Sequence, residues 1–435
     1  MTDLDLTADE LVARLLRLST EEYVSILDSC DVGHLGSHLL IAGVKPADVF
    51  ELSGGDPEEI LRSLDQKLSG DRAAIFSLSY ELGAQLHNVD PADLSIEEPD
   101  AFLALFDALV VHDYDTGRTM IVGTDEAARQ LAQVLQGDGP GAPRDDGRYE
   151  SCPTHYSVTR DEYVAAVEKV REHIRAGDTY QANLTQQIRC KLPLGVTPQE
   201  VFSRLRRNHP APFAAYLTRP SSVVISASPE RFFRIGRDGD IDASPIKGTR
   251  PRGETEEEDD NLRSELISSA KDTAENTMIV DLMRNDLGRV CEFGSVAVEK
   301  LCDLEEHPTL FHLVSTIRGQ LRAGLPFSDI LRASFPCGSI TGAPKIRTMQ
   351  IIRELESVNR GLSMGAIGCY LPTEYSRVAK SLFDVSVAIR TMVIRDGEAI
   401  FNVGGGIVID SDPEKEFDES ILKAKALLLA LGSDF

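Results

Sequence analysis

A lysine with prolines on either side, in Pro245-Ile246-Lys247-Gly248-Thr249-Arg250-Pro251-Arg252-Gly253, is the side chain in this chain best suited to act as a nucleophile. The prolines stiffen the stretch, and glycine lets the backbone approach closely or turn left-handed. The neighbouring guanidinium groups of Arg250 and Arg252 would favour loss of the ammonium proton. Taken alone, the stretch would serve equally well as an anion-binding surface loop. Two acid pairs stand elsewhere. Asp272 and Glu275 are three apart in a helical pattern, as are Glu416 and Glu419, with Lys423 four residues further on. Such spacing places side chains on one helix face. Two carboxylate pairs facing each other across a cleft would hold a hard divalent cation of the Mg2+ type. Either pair alone is an ordinary solvated helix face, though Glu275 lies among Ala274, Met278 and Ile279 rather than in a charged field.

Other residues could receive an anion. Gly404, Gly405 and Gly406 follow an apolar run and could line a carboxylate-binding concavity with backbone N–H groups, or form a tight turn or bulge. Ser339-Ile340-Thr341-Gly342-Ala343-Pro344-Lys345 leads into a helix, a natural anion site. Arg390 stands in an apolar strand pattern, where a carboxylate would be a fitting partner. His312, between Phe311 and Leu313, could be a general base or a hydrogen-bonded core histidine.

The elements that must position these groups follow from periodicity. A helix is predicted over 8–18 and strands over 25–29, 73–78 and 108–111. The Gly-, Pro- and charge-rich text of 136–153 marks a boundary between an N-terminal region, 1–140, and a larger catalytic domain, 150–435. Thr159 and Glu162 form a capping-box pattern, and Val164, Val167, Val170 and Ile174 give the apolar stripe of a helix that Gly177 can close. Strands are expected near 181–184, 214–217 and 223–227. The acidic run 254–260 begins a helix that continues through 284. Further helices cover 345–355 and 413–431, with strands near 386–394 and 399–403 between them.

The chain has 435 residues, 42% of them hydrophobic, with 45 basic and 70 acidic side chains for a net charge of −25. That balance argues against nucleic acid or an acidic membrane as partner, so a small anionic substrate would need a locally basic pocket. Seven scattered cysteines without C-x-x-C spacing fit reduced thiols in a cytoplasmic protein. The acidic N-terminus has no signal-peptide pattern, and no apolar run reaches membrane-spanning length.

Ser228-Pro229-Glu230-Arg231, the 245–253 stretch, Glu275-Asn276 with the 278–290 segment, 312–319, 338–345 and 404–419 together resemble the chorismate-utilising enzymes, in the same order across 155–430. The resemblance implies an α+β fold with two antiparallel sheets packed between helices. Members that add water carry a lysine where this chain has Gln181, and anthranilate synthases carry alanine where it has Lys247. A lysine there is the form of aminodeoxychorismate synthase component I. The mechanism so implied has Lys247 adding to C2 of chorismate while Glu230 protonates the departing C4 hydroxyl. Ammonia then attacks C4 and expels the lysine, giving 4-amino-4-deoxychorismate. Glu275 and Glu419 would bind Mg2+, with Asp272 and Glu416 behind them. Gln181, Gly248, Thr249, Ser339, Arg390, Lys423 and Gly404 to Gly406 would hold the substrate, with His312 among the catalytic groups. The chain shows no G-x-C-x-G nucleophile, so ammonia would come from a separate glutamine amidotransferase subunit or from solution. Ser29 with Pro212 and Phe213 resemble the two halves of the family's tryptophan pocket. Ser363 and Cys369 stand where the family has aromatic residues, and the 371–379 loop is longer than usual. The competing readings are an anthranilate synthase component I with an unusual lysine and a catalytically silent chorismate-binding subunit.

Overall fold

The computed structural model describes residues 2–33, 38–90, 98–137, 153–306 and 310–433. Strands such as Ala73–Leu78, buried at every position, read as continuous apolar runs because both of their faces are covered. Alternate side chains enter different layers: Ala73 and Ile75 join one apolar cluster, Ala74, Phe76 and Leu78 another. The first cluster also takes Ile41, Leu109, Ala215 and Val224 from a second sheet, so it is the layer between two sheets packed face to face.

One sheet has twelve strands. In spatial order its main path runs Thr2–Leu4, Arg118–Gly123, Ala108–Asp113, Leu39–Val44, Val24–Asp28, Phe213–Thr218, Val223–Ser228, Thr391–Arg395, Glu398–Ile407, Gln181–Lys191 and Gly342–Ala343, with Thr154–Tyr156 also on Gln181–Lys191. The other has ten: Ile246–Pro251, Leu310–Gln320, Asp240–Ser244, Arg231–Ile235, Phe383–Val387, Ala366–Tyr370, Ala73–Leu78, Ala101–Phe106 and Asp48–Leu52, with Ala297–Glu306 beside Leu310–Gln320. Their pairings are antiparallel. The outer faces bury against helices. Ala8–Leu18, Pro198–Asn208 and Pro413–Leu431 cover the larger sheet; Pro57–Lys67, Ala270–Gly288 and Phe327–Ser334 cover the smaller. The α+β fold with two antiparallel sheets packed between helices is as expected.

The predicted helix starts hold because their caps do. Thr159 accepts from the Glu162 N–H while Glu162 bonds back, and Gly177 closes the helix at φ 81°. Three expectations change. The single helix over 254–284 is two, Glu256–Ser268 and Ala270–Gly288, because extended Ser269 turns its hydroxyl to cap the second helix at the Asp272 N–H. The strand near 386–394 is also two, Phe383–Val387 and Thr391–Arg395, in different sheets, with Arg390 at φ 49° between them. Cys190 is disulfide-bonded, whereas Cys30, Cys291, Cys302, Cys337 and Cys369 are free. The boundary segment falls largely outside the described residues. Each sheet joins a block of strands from before it to a block from after it, Val24–Asp28 pairing with Phe213–Thr218 and Ala73–Leu78 with Ala366–Tyr370, so 1–140 and 150–435 share both sheets. No helix of the described residues is long and apolar enough to cross a membrane.

Candidate active site

The chain crosses between the sheets at Pro229-Glu230, leaving Val223–Ser228 for Arg231–Ile235, and crosses back at Arg390. The crossings lie side by side. The Val387 N–H donates to the Glu230 carbonyl at 3.0 Å, and the Ala227 N–H to the Arg390 carbonyl at 3.0 Å. The Ser228 hydroxyl locks them further, donating to the Val387 carbonyl at 2.6 Å. Backbone leaving one sheet for another frees side chains from both ladders, which is how an acid and a guanidinium come to share one seam.

Glu230 is 5% exposed. Burial raises its carboxyl to about 7, against smaller lowering effects of the Ser339 hydroxyl and the Lys247 charge. Its Oε1 has no hydrogen-bond partner among the described residues. Ser339 reaches it from the short turn Gly338–Ile340, a role beside the acid that its motif did not suggest. Lys247 lies half-buried on the edge strand Ile246–Pro251. That strand pairs Lys247 with Leu313 and Thr249 with His312, and a bulge between them places Gly248 at φ 80°. The Lys247 charge acts on Glu230, Glu275 and Glu419 alike. Its amine has no hydrogen bond or ion pair among the described residues. Arg250 and Arg252 do not supply the cationic pressure expected of them. Arg250 pairs with Glu265 at 2.8 Å and Asp272 at 3.3 Å, and Arg252 with Asp259. Buried His312 bonds Thr249 Oγ1 through Nδ1 at 2.8 Å, an arrangement that fixes the lysine's strand.

The acid pairs converge from the helices Ala270–Gly288 and Pro413–Leu431. Burial raises Glu275 and Glu416 above the usual carboxylate range. Burial would raise Glu419 too, but the ammonium groups of Lys423, Lys271 and Lys247 outweigh it. Lys423 bonds Glu419 at 2.8 Å and the Gly404 carbonyl at 3.0 Å. Glu416 accepts from Ser411 at 2.7 Å. Lys271, 3.9 Å from Glu275, was not singled out from the sequence, although its i, i+4 spacing could have shown it. Asp272 packs under Gly248 and acts on Glu275 through charge. The donor set is hard oxygen with excess negative charge, which suits a divalent cation. Among the described residues no three acidic, histidine or cysteine groups converge closely enough to hold one as they stand.

Gly404, Gly405 and Gly406 lie inside the strand Glu398–Ile407, opposite Thr185, Leu184 and Asn183, rather than in a turn. A Cβ on Gly405 would stand 3.1 Å from Glu416 Oε2 and 3.6 Å from Lys423 Nζ, and one on Gly406 only 2.2 Å from Gln181 Nε2. The glycines thus leave open the space between the carboxylates and Gln181, whose buried Oε1 has no partner among the described residues. Gly404 is structural: a Cβ would lie 1.9 Å from the Leu184 carbonyl oxygen, which the ladder cannot move. Gly404→Ala should cost about 3 kcal/mol, read as a lowered urea midpoint; an unchanged midpoint refutes the clash. Arg390 stands at the second crossing, where burial first and then its charge lower the pKa of His209. Its guanidinium meets solvent within a cleft deep enough that desolvation lowers its pKa, and it has no hydrogen bond or ion pair among the described residues.

Ser29, Pro212 and Phe213 do come together. With Leu27, Ile41, Ile367, Cys369 and Asp384 they line a small cavity of about 60 Å³ between the sheets. Asp28 beside it is engaged by Arg206 and Tyr114, each at 2.7 Å. Ser363 turns away to accept from the Asn402 N–H at 3.0 Å. Residues 373–379 of the longer loop form a helix whose end, Ala379, closes one side of the cavity.

Known proteins with these features fall in one group. The chain is 35% identical over 412 residues to aminodeoxychorismate synthase component 1 of Bacillus subtilis, covering 90% of this chain and 85% of that one. It is 39% identical over 350 residues to an aminodeoxychorismate synthase of Streptomyces pristinaespiralis, covering 77% of this chain but only 47% of that longer protein, so it spans about half of that relative's length. Anthranilate synthase component I from Streptococcus pneumoniae superposes with a TM-score of 0.77 at 28% identity, over 91% of this chain and 93% of that one. Residues 24–429 match the family described as chorismate binding enzyme, and the chain belongs to that family.

Proposed function

We propose that this protein aminates chorismate at C4, as an aminodeoxychorismate synthase component I does, with ammonia from a separate glutamine amidotransferase subunit. One observation carries the reading: the half-buried amine of Lys247, without a hydrogen bond or ion pair among the described residues, stands between a buried acid raised to about 7 and a carboxylate cluster. Lys247 Nζ forms a bond to C2, both ring double bonds shift toward C4, and the C4–O bond breaks as Glu230 delivers its proton, releasing water. Ammonia then bonds to C4 and returns the lysine as an amine. Arg390, Gln181 and Lys423, with the glycine backbone, hold the substrate carboxylates. Glu275 and Glu419 would hold Mg2+, with Asp272 and Glu416 behind. When bound, the ion neutralises the carboxylates beside Lys247 together with one carboxylate of the substrate.

The deciding experiment supplies chorismate, Mg2+ and ammonium and separates the products. Aminodeoxychorismate without pyruvate supports the proposal. Anthranilate with pyruvate would make the protein an anthranilate synthase despite its lysine, and no product would leave a silent chorismate-binding subunit. Arg390→Gln removes a guanidinium that has no hydrogen bond or ion pair among the described residues, and with it the bidentate partner proposed for a substrate carboxylate. It should raise KM for chorismate about 10- to 100-fold, a loss of about 1.5–3 kcal/mol, with the unfolding midpoint within error of wild type. An unchanged KM would remove Arg390 from the substrate site.

A further inference from the structure

We propose that Arg360 is a positioning residue of this site: its guanidinium bolts the turn carrying Ser339, the side chain that faces the Glu230 carboxyl, to the strand running opposite Gly404, Gly405 and Gly406. Its consequence for turnover rests on the reading of Glu230 as the acid; the contact itself does not. Arg360 is 3% exposed. Nη1 donates to the Ile340 carbonyl at 3.0 Å and Nη2 to the Asn183 carbonyl at 2.6 Å. Ile340 is the neighbour of Ser339, and Asn183 pairs with Gly406 two residues after Gln181.

The turn does little to hold itself. Its own bonds are long: Ile340 N–H to Cys337 O at 3.3 Å, Thr341 N–H to Gly338 O at 3.4 Å, and the Thr341 hydroxyl to the same two carbonyls at 3.1 and 3.3 Å. The shorter ties come from outside, from Arg360 and from the Asn183 N–H to the Thr341 carbonyl at 2.8 Å. The guanidinium is itself fixed. Nε and Nη2 donate to the two oxygens of Glu356 at 2.8 and 2.7 Å, and the Tyr80 ring lies 4.5 Å from its carbon. Glu356 also takes the Thr185 N–H at 2.7 Å, and Glu81 takes the Arg360 N–H at 2.7 Å. A planar fork can reach two carbonyls and a carboxylate together; a single ammonium cannot.

The test reads the Glu230 carboxyl directly, as the pH midpoint of its infrared carbonyl band in difference spectra against the matching Glu230→Gln protein. Lys247 faces that carboxyl from the edge strand, and Ser339 and Cys337 from the turn. Ser339→Ala should raise the midpoint, since the hydroxyl lowers it. Arg360→Lys should raise it too, by about half a unit or more, with kcat down about tenfold at unchanged KM. The double variant should go no further than Ser339→Ala. A wild-type midpoint in folded Arg360→Lys, or shifts that add in the double variant, overturns the proposal. Should Arg360→Lys not fold, Glu356→Gln loosens the clamp and must shift the midpoint the same way; no shift there is equally fatal. A band that moves while the pH profile of kcat/KM stays still supports the positioning role and sinks Glu230 as the acid.

Discussion

Mixed with chorismate and Mg2+ but no ammonia, the wild-type protein will gain the mass of one chorismate less one water, and Lys247→Ala will gain nothing. The expectation follows from where the amine stands. Lys247 pairs with Leu313 in the ladder, and beyond the bulge at Gly248 the next paired residue, Thr249, is tied to His312, so the strand is held while the amine makes no hydrogen bond or ion pair among the described residues. No ion pair among the described residues must be broken first. Turnover in Lys247→Ala should fall about 10³-fold or more, because no other amine shares its position between Glu230 and the carboxylate cluster. Adding ammonium should release the wild-type adduct as product. Wild type that gains no mass, or the same gain in Lys247→Ala, ends the covalent mechanism.

Glu230→Gln should lower kcat about 10²- to 10⁴-fold, the span expected for loss of a general acid, with KM little changed. In wild type the acid works while protonated, so kcat/KM should fall as pH rises through about 7. That limb should vanish in the variant, and its survival there would assign it to another group. Stability should fall over the same range. Burial raises the folded carboxyl from its ordinary value of 4.5 to about 7, so its contribution is complete below 4.5 and is lost as pH rises through 7. Above pH 7 the wild type carries a buried charge that Gln lacks. Glu230→Gln should therefore be the more stable protein there, by roughly 2–3 kcal/mol, measured by urea unfolding at pH 8. Equal stabilities would mean that the acid is better solvated than its burial indicates.

Much of the machinery was legible because it is local. The caps at Thr159 and Gly177 and the ends of Lys345–Leu355 and Pro413–Leu431 depend on neighbours within a turn, and so does the shared face of Glu416, Glu419 and Lys423. Arg390 was found as a cation among apolar residues but placed inside a strand. An apolar run reads the same whether it stays in one sheet or crosses to another, and only the left-handed φ at Arg390 shows the crossing. The three glycines allowed a turn as readily as a strand. Leu184, which excludes a Cβ at Gly404, lies some 220 residues earlier in the chain. Arg250 and Arg252 were read as neighbours of Lys247 when their partners are Glu265, Asp272 and Asp259.

The residue types, their order and their short-range spacing by themselves determined the family and many of the secondary elements, and they singled out the lysine, acid and carboxylates proposed for the site. Proximity in space was left to the tertiary structure: the paired sheet crossings that set Glu230 beside Arg390, the turn that brings Ser339 to the acid, and the buried Arg360 clamp behind both. The physical reason is range. Capping and helical facing act over three or four residues, whereas antiparallel pairing and charge–charge effects depend on distances that the chain sets only once it has folded.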